Sequence, residues 1–160
     1  MAIEAPASKY KLKSLKIYIA VAVVLAIIMG YDGYLSKYEW SKRQSFYNEH
    51  VVENDGVPDS TMTFNQKGPP VFLAVAVILA VRLAMIKNNK ILADESGVVV
   101  GKQTVSYDSI EKIDKTQFEP KGYFIVTYKN ERSGETDLKI SDRNYDNLQE
   151  LLDHLVAKIS

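Results

Sequence analysis

Two long apolar runs constrain this chain more than any other feature of its sequence. They cover residues 17–29 and 71–86, and Arg82 is the only charged side chain in either run. The first run is apolar on every face of a helix, so as a helix it needs lipid or a large protein core around it. A chain of 160 residues has little core to offer. The two runs therefore predict a membrane protein.

The flanks of the first run extend it to the length of a membrane span. Its strictly apolar part would be only about 20 Å long as a helix, which is short for a bilayer. Lys13 and Lys16 come before its apolar core, and Tyr31 and Tyr34 follow it. Such residues snorkel or lie at the headgroup level. A cleavable signal peptide is the alternative, but tyrosines stand where a peptidase requires small residues. We expect an uncleaved transmembrane helix over residues 13–34.

The second run follows Gly68, Pro69 and Pro70, and prolines are favourable in the first turn of a helix. This pattern places the second transmembrane helix at residues 69–87, with Arg82 near enough to its end to snorkel. Small residues at every fourth position let helices approach closely in lipid. The pattern predicts an antiparallel helical hairpin that packs through Ala22, Ala26, Ala76, Ala80 and Ala84.

Basic residues flank the predicted hairpin on the side of both chain ends. Four lysines come before the apolar core of the first helix, and Lys87 and Lys90 follow the second. By the positive-inside rule both termini face the cytoplasm. Residues 1–12 are then a cytoplasmic tail and residues 35–68 an extracytoplasmic loop, although Lys37, Lys42 and Arg43 in that loop act against this orientation. The predicted location is the bacterial cytoplasmic membrane, with two passes.

The connecting loop is too long to be a simple turn between neighbouring helices. Residues 34–50 lack Pro and Gly and can extend the first helix beyond the membrane. Asp55, Gly56 and Pro58 favour turns. Residues 60–64 favour a short extended segment that returns to the second helix. We therefore expect a structured loop with a helical extension.

Aromatic side chains are concentrated in the first half of the loop. They form either an interfacial belt at the headgroup level or a face that binds another protein. The candidate interface residues are Tyr38, Trp40, Phe46 and Tyr47. His50 stands among acidic residues at irregular spacing, which indicates a solvated stretch rather than a metal site.

The pattern changes to period two in residues 88–160. Segments rich in β-branched and aromatic residues alternate with turn residues, which predicts about six antiparallel strands. These segments are residues 90–93, 97–100, 103–107, 110–115, 123–128 and 136–140. Leu148, Leu151 and Leu155 then fall on one helical face, with Ser141 or Asp142 available as a cap. The predicted fold class is α+β: a transmembrane hairpin followed by a small antiparallel β-barrel or sheet domain closed by a C-terminal amphipathic helix.

The order of these segments resembles that of bacterial pleckstrin-homology-like (PH-like) domains in small membrane proteins. The resemblance lies in residues 90–100, 105–113 and 122–128 and in the closing helix. In those families a Gly-Val strand is followed by an aromatic-x-x-Ile turn, matched here by Tyr107 and Ile110. The resemblance implies a seven-stranded barrel, of which six strands are visible in the pattern. It does not imply phosphoinositide binding, because the first hairpin turn is acidic at Asp94 and Glu95.

The composition narrows the classes of function. There is no cysteine, which excludes disulfides and thiolate sites, and the 20 acidic and 20 basic side chains leave no basic surplus for nucleic acid. Only His50 and His154 are histidines, and no phosphate-binding loop, nucleophile elbow or metal-spaced helix is present. We expect a chain that is not an enzyme, has no cofactor and does not bind nucleic acid.

The predicted role is that of a scaffold or accessory subunit that docks partner proteins at the membrane. A fixed hairpin supplies localisation, and an antiparallel sheet with open edges supplies a docking surface. The expected partners are the lipid bilayer and a protein or larger membrane complex, and the sequence leaves open whether a small-molecule ligand binds. The alternatives are signal transfer from a sensing external loop and lipid recognition by the inner domain.

Overall fold

The computed structural model describes residues 2–101, 103–130 and 134–159. The chain forms two compact units, one of Ser14–Leu83 and one of Met1–Lys13 together with Ala84–Ser160. The second unit thus combines the start of the chain with its C-terminal half. Lys102 and the predicted turn at residues 131–133 lie outside the described residues.

Two helices are long and apolar enough to cross a membrane. The first comprises α1 (Lys9–Gly30) and a π-helical turn (Tyr31–Leu35), and the other is α3 (Ser60–Ile86). Each of the two spans has 27 residues. Only 22% and 11% of their most apolar windows are buried, so most of this apolar surface has no protein around it. The prediction of two long apolar helices is confirmed.

The second helix begins earlier than its sequence pattern indicates. It starts at Ser60, so Pro69 and Pro70 lie inside it rather than in its first turn, and the extended segment predicted for residues 60–64 is wrong. Proline has no N–H, so it leaves the carbonyl four residues earlier without its helical donor. For Pro70 that carbonyl belongs to Gln66, and Tyr34 Oη donates a hydrogen bond to it at 2.5 Å. A side chain from the first helix thus replaces the missing backbone donor.

The loop between the helices contains two short helical segments. They are α2 (Gln44–Tyr47) and a π-helical turn (Asn48–Val52). The first helix stops at Leu35, so the predicted continuous extension to residue 50 is wrong. Asp55 and Gly56 both have positive φ, at 55° and 78°, which confirms a turn at this position.

The other unit contains two antiparallel sheets. The first sheet has the order β1-β2-β3-β4, and the second has the order β5-β6-β7. The strands are β1 (Ile3–Pro6), β2 (Lys90–Ala93), β3 (Gly97–Val100), β4 (Gln103–Ser106), β5 (Ile110–Asp114), β6 (Tyr123–Asn130) and β7 (Gly134–Ser141). All six predicted strands are present, within one or two residues of their expected bounds.

The first strand lies in the segment predicted to be a cytoplasmic tail. β1 pairs with β2 along its whole length, with Ile3 opposite Ala93 and Pro6 opposite Lys90. Ala5 is fully buried in the core. The described residues therefore contain seven strands, one more than the sequence pattern indicates.

The C-terminal helix α5 (Leu148–Ile159) packs into the core of this unit. Its four leucines share one cluster of buried side chains with residues from both sheets. The sheet residues of this cluster are Ala5, Ile91, Ala93, Val98, Phe124, Val126 and Ile140. The predicted cap is wrong, because Asn147, and neither Ser141 nor Asp142, immediately precedes the helix. Asn147 Nδ2 donates to Glu150 Oε2 at 2.7 Å in the first turn.

Candidate functional site

Small residues are buried in the helical unit, but only part of the predicted set is among them. Ala22, Ala26 and Ala76 are each 5% exposed. Ala80 and Ala84 are exposed, so their predicted role in helix packing is not supported.

The two helices come close to each other at two glycines that the alanine pattern did not indicate. A Cβ on Gly33 would lie 2.6 Å from the carbonyl oxygen of Asn65, and one on Gly68 would collide with the side chain of Met29. Gln66 Nε2 also donates to the Gly33 carbonyl at 3.2 Å. The Gly30-x-x-Gly33 spacing in the sequence could have indicated this contact. Of these two glycines, only Gly33 lies against the backbone of the other helix.

Tyr38 and Trp40 form an exposed aromatic pair just after the first helix. Their rings stack with centroids 5.6 Å apart and planes 9° apart, and they are 44% and 66% exposed. Lys37 Nζ lies 5.2 Å from the Tyr38 ring centroid. Phe46 and Tyr47, by contrast, are half-buried. The candidate interface set therefore divides into an exposed pair and a packed pair.

Arg43 ties the loop to the end of the first helix. Its Nε and Nη2 donate to the two carboxylate oxygens of Asp32, each at 2.9 Å. Asp32 is buried, and its carboxylate raises the pKa of the Arg43 guanidinium above its ordinary value. The guanidinium also lies 5.1 Å from the ring centroid of Phe46. This bidentate pair was not indicated by the sequence, because the two residues are eleven positions apart, one in the π-helical turn and the other in the loop that follows it.

His50 and Asp59 connect the loop to the start of the second helix. His50 Nδ1 and Asp59 Oδ2 are 2.8 Å apart, and the His50 ring packs on Phe46 with centroids 4.3 Å apart. Asp59 Oδ1 accepts a hydrogen bond from the backbone N–H of Met62. This bond, followed by that with His50, lowers the pKa of Asp59. The interpretation of this stretch as simply solvated is therefore wrong for His50, which is half-buried and paired.

No group of three or more potential metal ligands occurs within the described residues. His154 lies half-buried on α5, with its ring centroid 6.3 Å from that of Tyr107. Its buried Nε2 has no hydrogen-bond partner among the described residues.

The start of α1 is held by the turn that precedes α5. The backbone N–H of Lys9 donates to Asp146 Oδ2 at 3.0 Å, and Lys11 Nζ donates to Asn144 Oδ1 at 2.6 Å. The backbone N–H of Ala7 donates to the carbonyl of Asn89 at 2.9 Å. The first two bonds join the start of α1 to the turn before α5, and the third joins the chain just before α1 to the chain just after α3.

A groove of about 530 Å³ lies between α5 and the segment that follows β5, which includes the short helix α4 (Phe118–Lys121). Its lining combines apolar side chains with charged side chains of both signs. The groove is lined by Lys115, Thr116, Phe118, Glu119, Pro120, Gln149, Leu152, Asp153, Val156 and Ala157.

Comparison of the chain with protein-family models, with curated proteins and with solved structures finds no significant match.

Proposed function

We propose that this chain is a non-catalytic integral membrane protein that docks partner proteins at the membrane. The observation that carries the proposal is the pairing of β1 with β2. β1 directly precedes the first apolar helix and β2 directly follows the second, so the two strands that flank the apolar helices pair within the folded domain. A domain held at the membrane in this way suits a scaffold or accessory subunit.

The PH-like resemblance belongs to this proposal. Seven strands in two antiparallel sheets and a C-terminal helix with its leucines in the core support it. In such an arrangement the groove beside α5 is the docking surface for a polypeptide, because it combines apolar contact area with polar groups at its rim.

In the proposed orientation both termini face the cytoplasm of a bacterial cell and residues 36–59 lie outside. The lysines near the start of α1 and those after α3 support this topology through the positive-inside rule. Single cysteines at Asp55 and Asn130 test it, since the chain has no native cysteine. A membrane-impermeant thiol reagent should label position 55 in intact cells and position 130 only after lysis. Labelling of position 130 from outside would contradict the topology.

Docking is tested by co-purification from membranes after gentle detergent extraction, with variants on the exposed last turns of α5. Ala157 lines the groove and is exposed, so Ala157→Arg should block a docked polypeptide without disturbing the core. Its neighbour Lys158 is exposed and outside the groove lining, so Lys158→Gln is the matched control. A partner that binds Ala157→Arg as well as the wild type rules out the groove as its docking surface.

A further inference from the structure

A second groove, of about 460 Å³, lies at the end of the first apolar helix. Two of its lining residues are apolar, and these, Ile27 and Ile28, are 64% and 53% exposed. The others are Tyr31 and the paired side chains of Asp32 and Arg43. All five lining residues belong to the same helical unit. The lining therefore combines exposed apolar surface with a paired cation and anion.

Arg43 is positioned in this groove before any ligand arrives. Two of its guanidinium nitrogens are bound to Asp32, and its Cζ lies 5.1 Å from the ring centroid of Phe46. The third nitrogen, Nη1, has no hydrogen-bond partner among the described residues, and the side chain is half exposed. A guanidinium held in this way loses little conformational entropy when it binds an anionic oxygen.

We propose that this groove binds a glycerophospholipid, with the lipid phosphate on Arg43 Nη1 and an acyl chain along Ile27 and Ile28. Arginine is the side chain best suited to phosphate oxygens, and exposed isoleucines suit a hydrocarbon chain. The proposal rests on the proposed membrane location, because only there do the two isoleucines meet acyl chains. It adds a specific ligand site at the end of the first helix, separate from the docking groove beside α5.

The charge balance of the groove predicts which headgroups it accepts. The Asp32 carboxylate neutralises the Arg43 guanidinium, so the site offers a directed donor without net positive charge. It should hold zwitterionic phosphatidylethanolamine about as well as anionic phosphatidylglycerol. Inorganic phosphate has the same oxygen chemistry but no chain for the isoleucines, so it should not bind measurably.

Native mass spectrometry of the full chain in detergent tests the proposal, with each of the two lipids or with inorganic phosphate added. Asp32→Asn combined with Arg43→Gln removes the pair together, since Arg43→Gln alone would leave a buried carboxylate unpaired. Ile28→Gln leaves the Asp32–Arg43 pair intact and places a polar side chain on the proposed path of the acyl chain. Lys42→Gln removes a neighbouring exposed cation that does not line the groove and serves as the control.

The wild type and Lys42→Gln should retain one phospholipid, and both groove variants should bind it roughly tenfold more weakly. Equal retention by Ile28→Gln and the wild type would overturn the proposal, whether or not the double variant folds. A tenfold preference for phosphatidylglycerol, or binding of inorganic phosphate alone, would also overturn it.

Alkaline extraction of membranes separates this result from the proposed function. If the chain stays in the membrane pellet but retains no lipid, only the lipid site fails. If the chain is released into the supernatant, the membrane location fails and the lipid site fails with it.

Discussion

Lys9 and Asp146 are joined by a hydrogen bond of 3.0 Å, from the backbone N–H of Lys9 to the Asp146 carboxylate, although they are 137 positions apart in the chain. Lys9 is the first residue of α1, where backbone N–H groups have no partner within the helix. An aspartate from the other end of the chain thus performs the task that a capping side chain normally performs locally.

Asp146→Ala should destabilise the protein by about 1 kcal/mol, the usual cost of losing a carboxylate at a helix start. Thermal unfolding in detergent, followed by circular dichroism, measures the change. Asp108 is exposed, with no hydrogen bond from its side chain among the described residues, so Asp108→Ala is the matched control. Equal shifts of the midpoint in the two variants would show that the Lys9 contact contributes nothing.

The pairing of β1 with β2 predicts that the folded domain can be separated from its hairpin. The backbone N–H of Ala7 already donates to the carbonyl of Asn89, as in a pair that flanks a two-residue turn. Residues 2–7 joined through Asn-Gly to residues 89–159 should therefore fold as a soluble domain, because Asn-Gly favours this hairpin turn.

A fragment of residues 88–159 is the control for that design. It lacks Ala5, which is 0% exposed in the intact protein, and it exposes the edge of β2. We expect this fragment to aggregate or to unfold at a lower denaturant concentration than the joined domain. Equal midpoints in urea, measured by circular dichroism, would show that β1 is not part of the stable domain.

The helix crossing predicts opposite effects for two neighbouring glycines. A Cβ at Gly33 would collide with the backbone of Asn65, which cannot move away cheaply. Gly33→Ala should destabilise the helix pair by about 1–3 kcal/mol, the usual cost of overpacking. At Gly30 the nearest atom to a new Cβ is Pro69 Cγ at 3.8 Å, an ordinary contact. Gly30→Ala should be neutral or stabilising, because alanine favours a helix over glycine.

The two variants and the wild type are compared by the loss of helicity as the concentration of dodecyl sulfate increases. The two midpoints should move apart, with that of Gly33→Ala the lower. A lower midpoint for Gly30→Ala would mean that the helices approach each other elsewhere along their length.

The sequence predicted the strands in which buried and exposed residues alternate within the strand itself. Ile91 and Ala93 in β2, and Phe124 and Val126 in β6, are buried at period two within their own strands. β1 has only four residues and includes Pro6, so nothing local distinguishes it from a tail. Its burial depends on Ile91, far along the chain, and a pairing of that kind has no local signal.

The start of α3 was mispredicted for a related reason. Pro69 and Pro70 are normally helix-starting residues, but here they lie inside a helix, and Tyr34 supplies a donor to the Gln66 carbonyl that Pro70 frees. The Asp32–Arg43 pair likewise depends on where an irregular loop folds back. Local propensity predicts the elements, whereas contacts between elements decide their bounds and assemble the site.

The Asp59 carboxylate should make stability depend on pH. Hydrogen bonds from the Met62 backbone and with His50 hold its pKa below the ordinary value of 3.8. A carboxylate with a depressed folded-state pKa stabilises the protein above its unfolded-state pKa, and the stabilisation is lost as pH falls through the folded-state pKa. Asp59→Asn should remove this contribution. Between roughly pH 5 and pH 2, the unfolding midpoint of this variant should therefore fall less than that of the wild type. Parallel pH profiles would show that Asp59 is unperturbed.

Trp40 provides a direct probe of the exposed aromatic pair, because it is the only tryptophan in the chain. If Tyr38 and Trp40 lie in the headgroup region, as in an aromatic belt, lipids brominated near the glycerol should quench Trp40 emission more than lipids brominated near the chain ends. If the pair is instead a protein-binding face, its indole should be open to solvent in the free protein. Trp40→Phe provides the blank for vesicles of the reconstituted protein. A contrary result would be that acrylamide quenches Trp40 emission as strongly as that of free tryptophan while no brominated lipid affects it. That result would exclude the membrane position and leave the protein-binding interpretation.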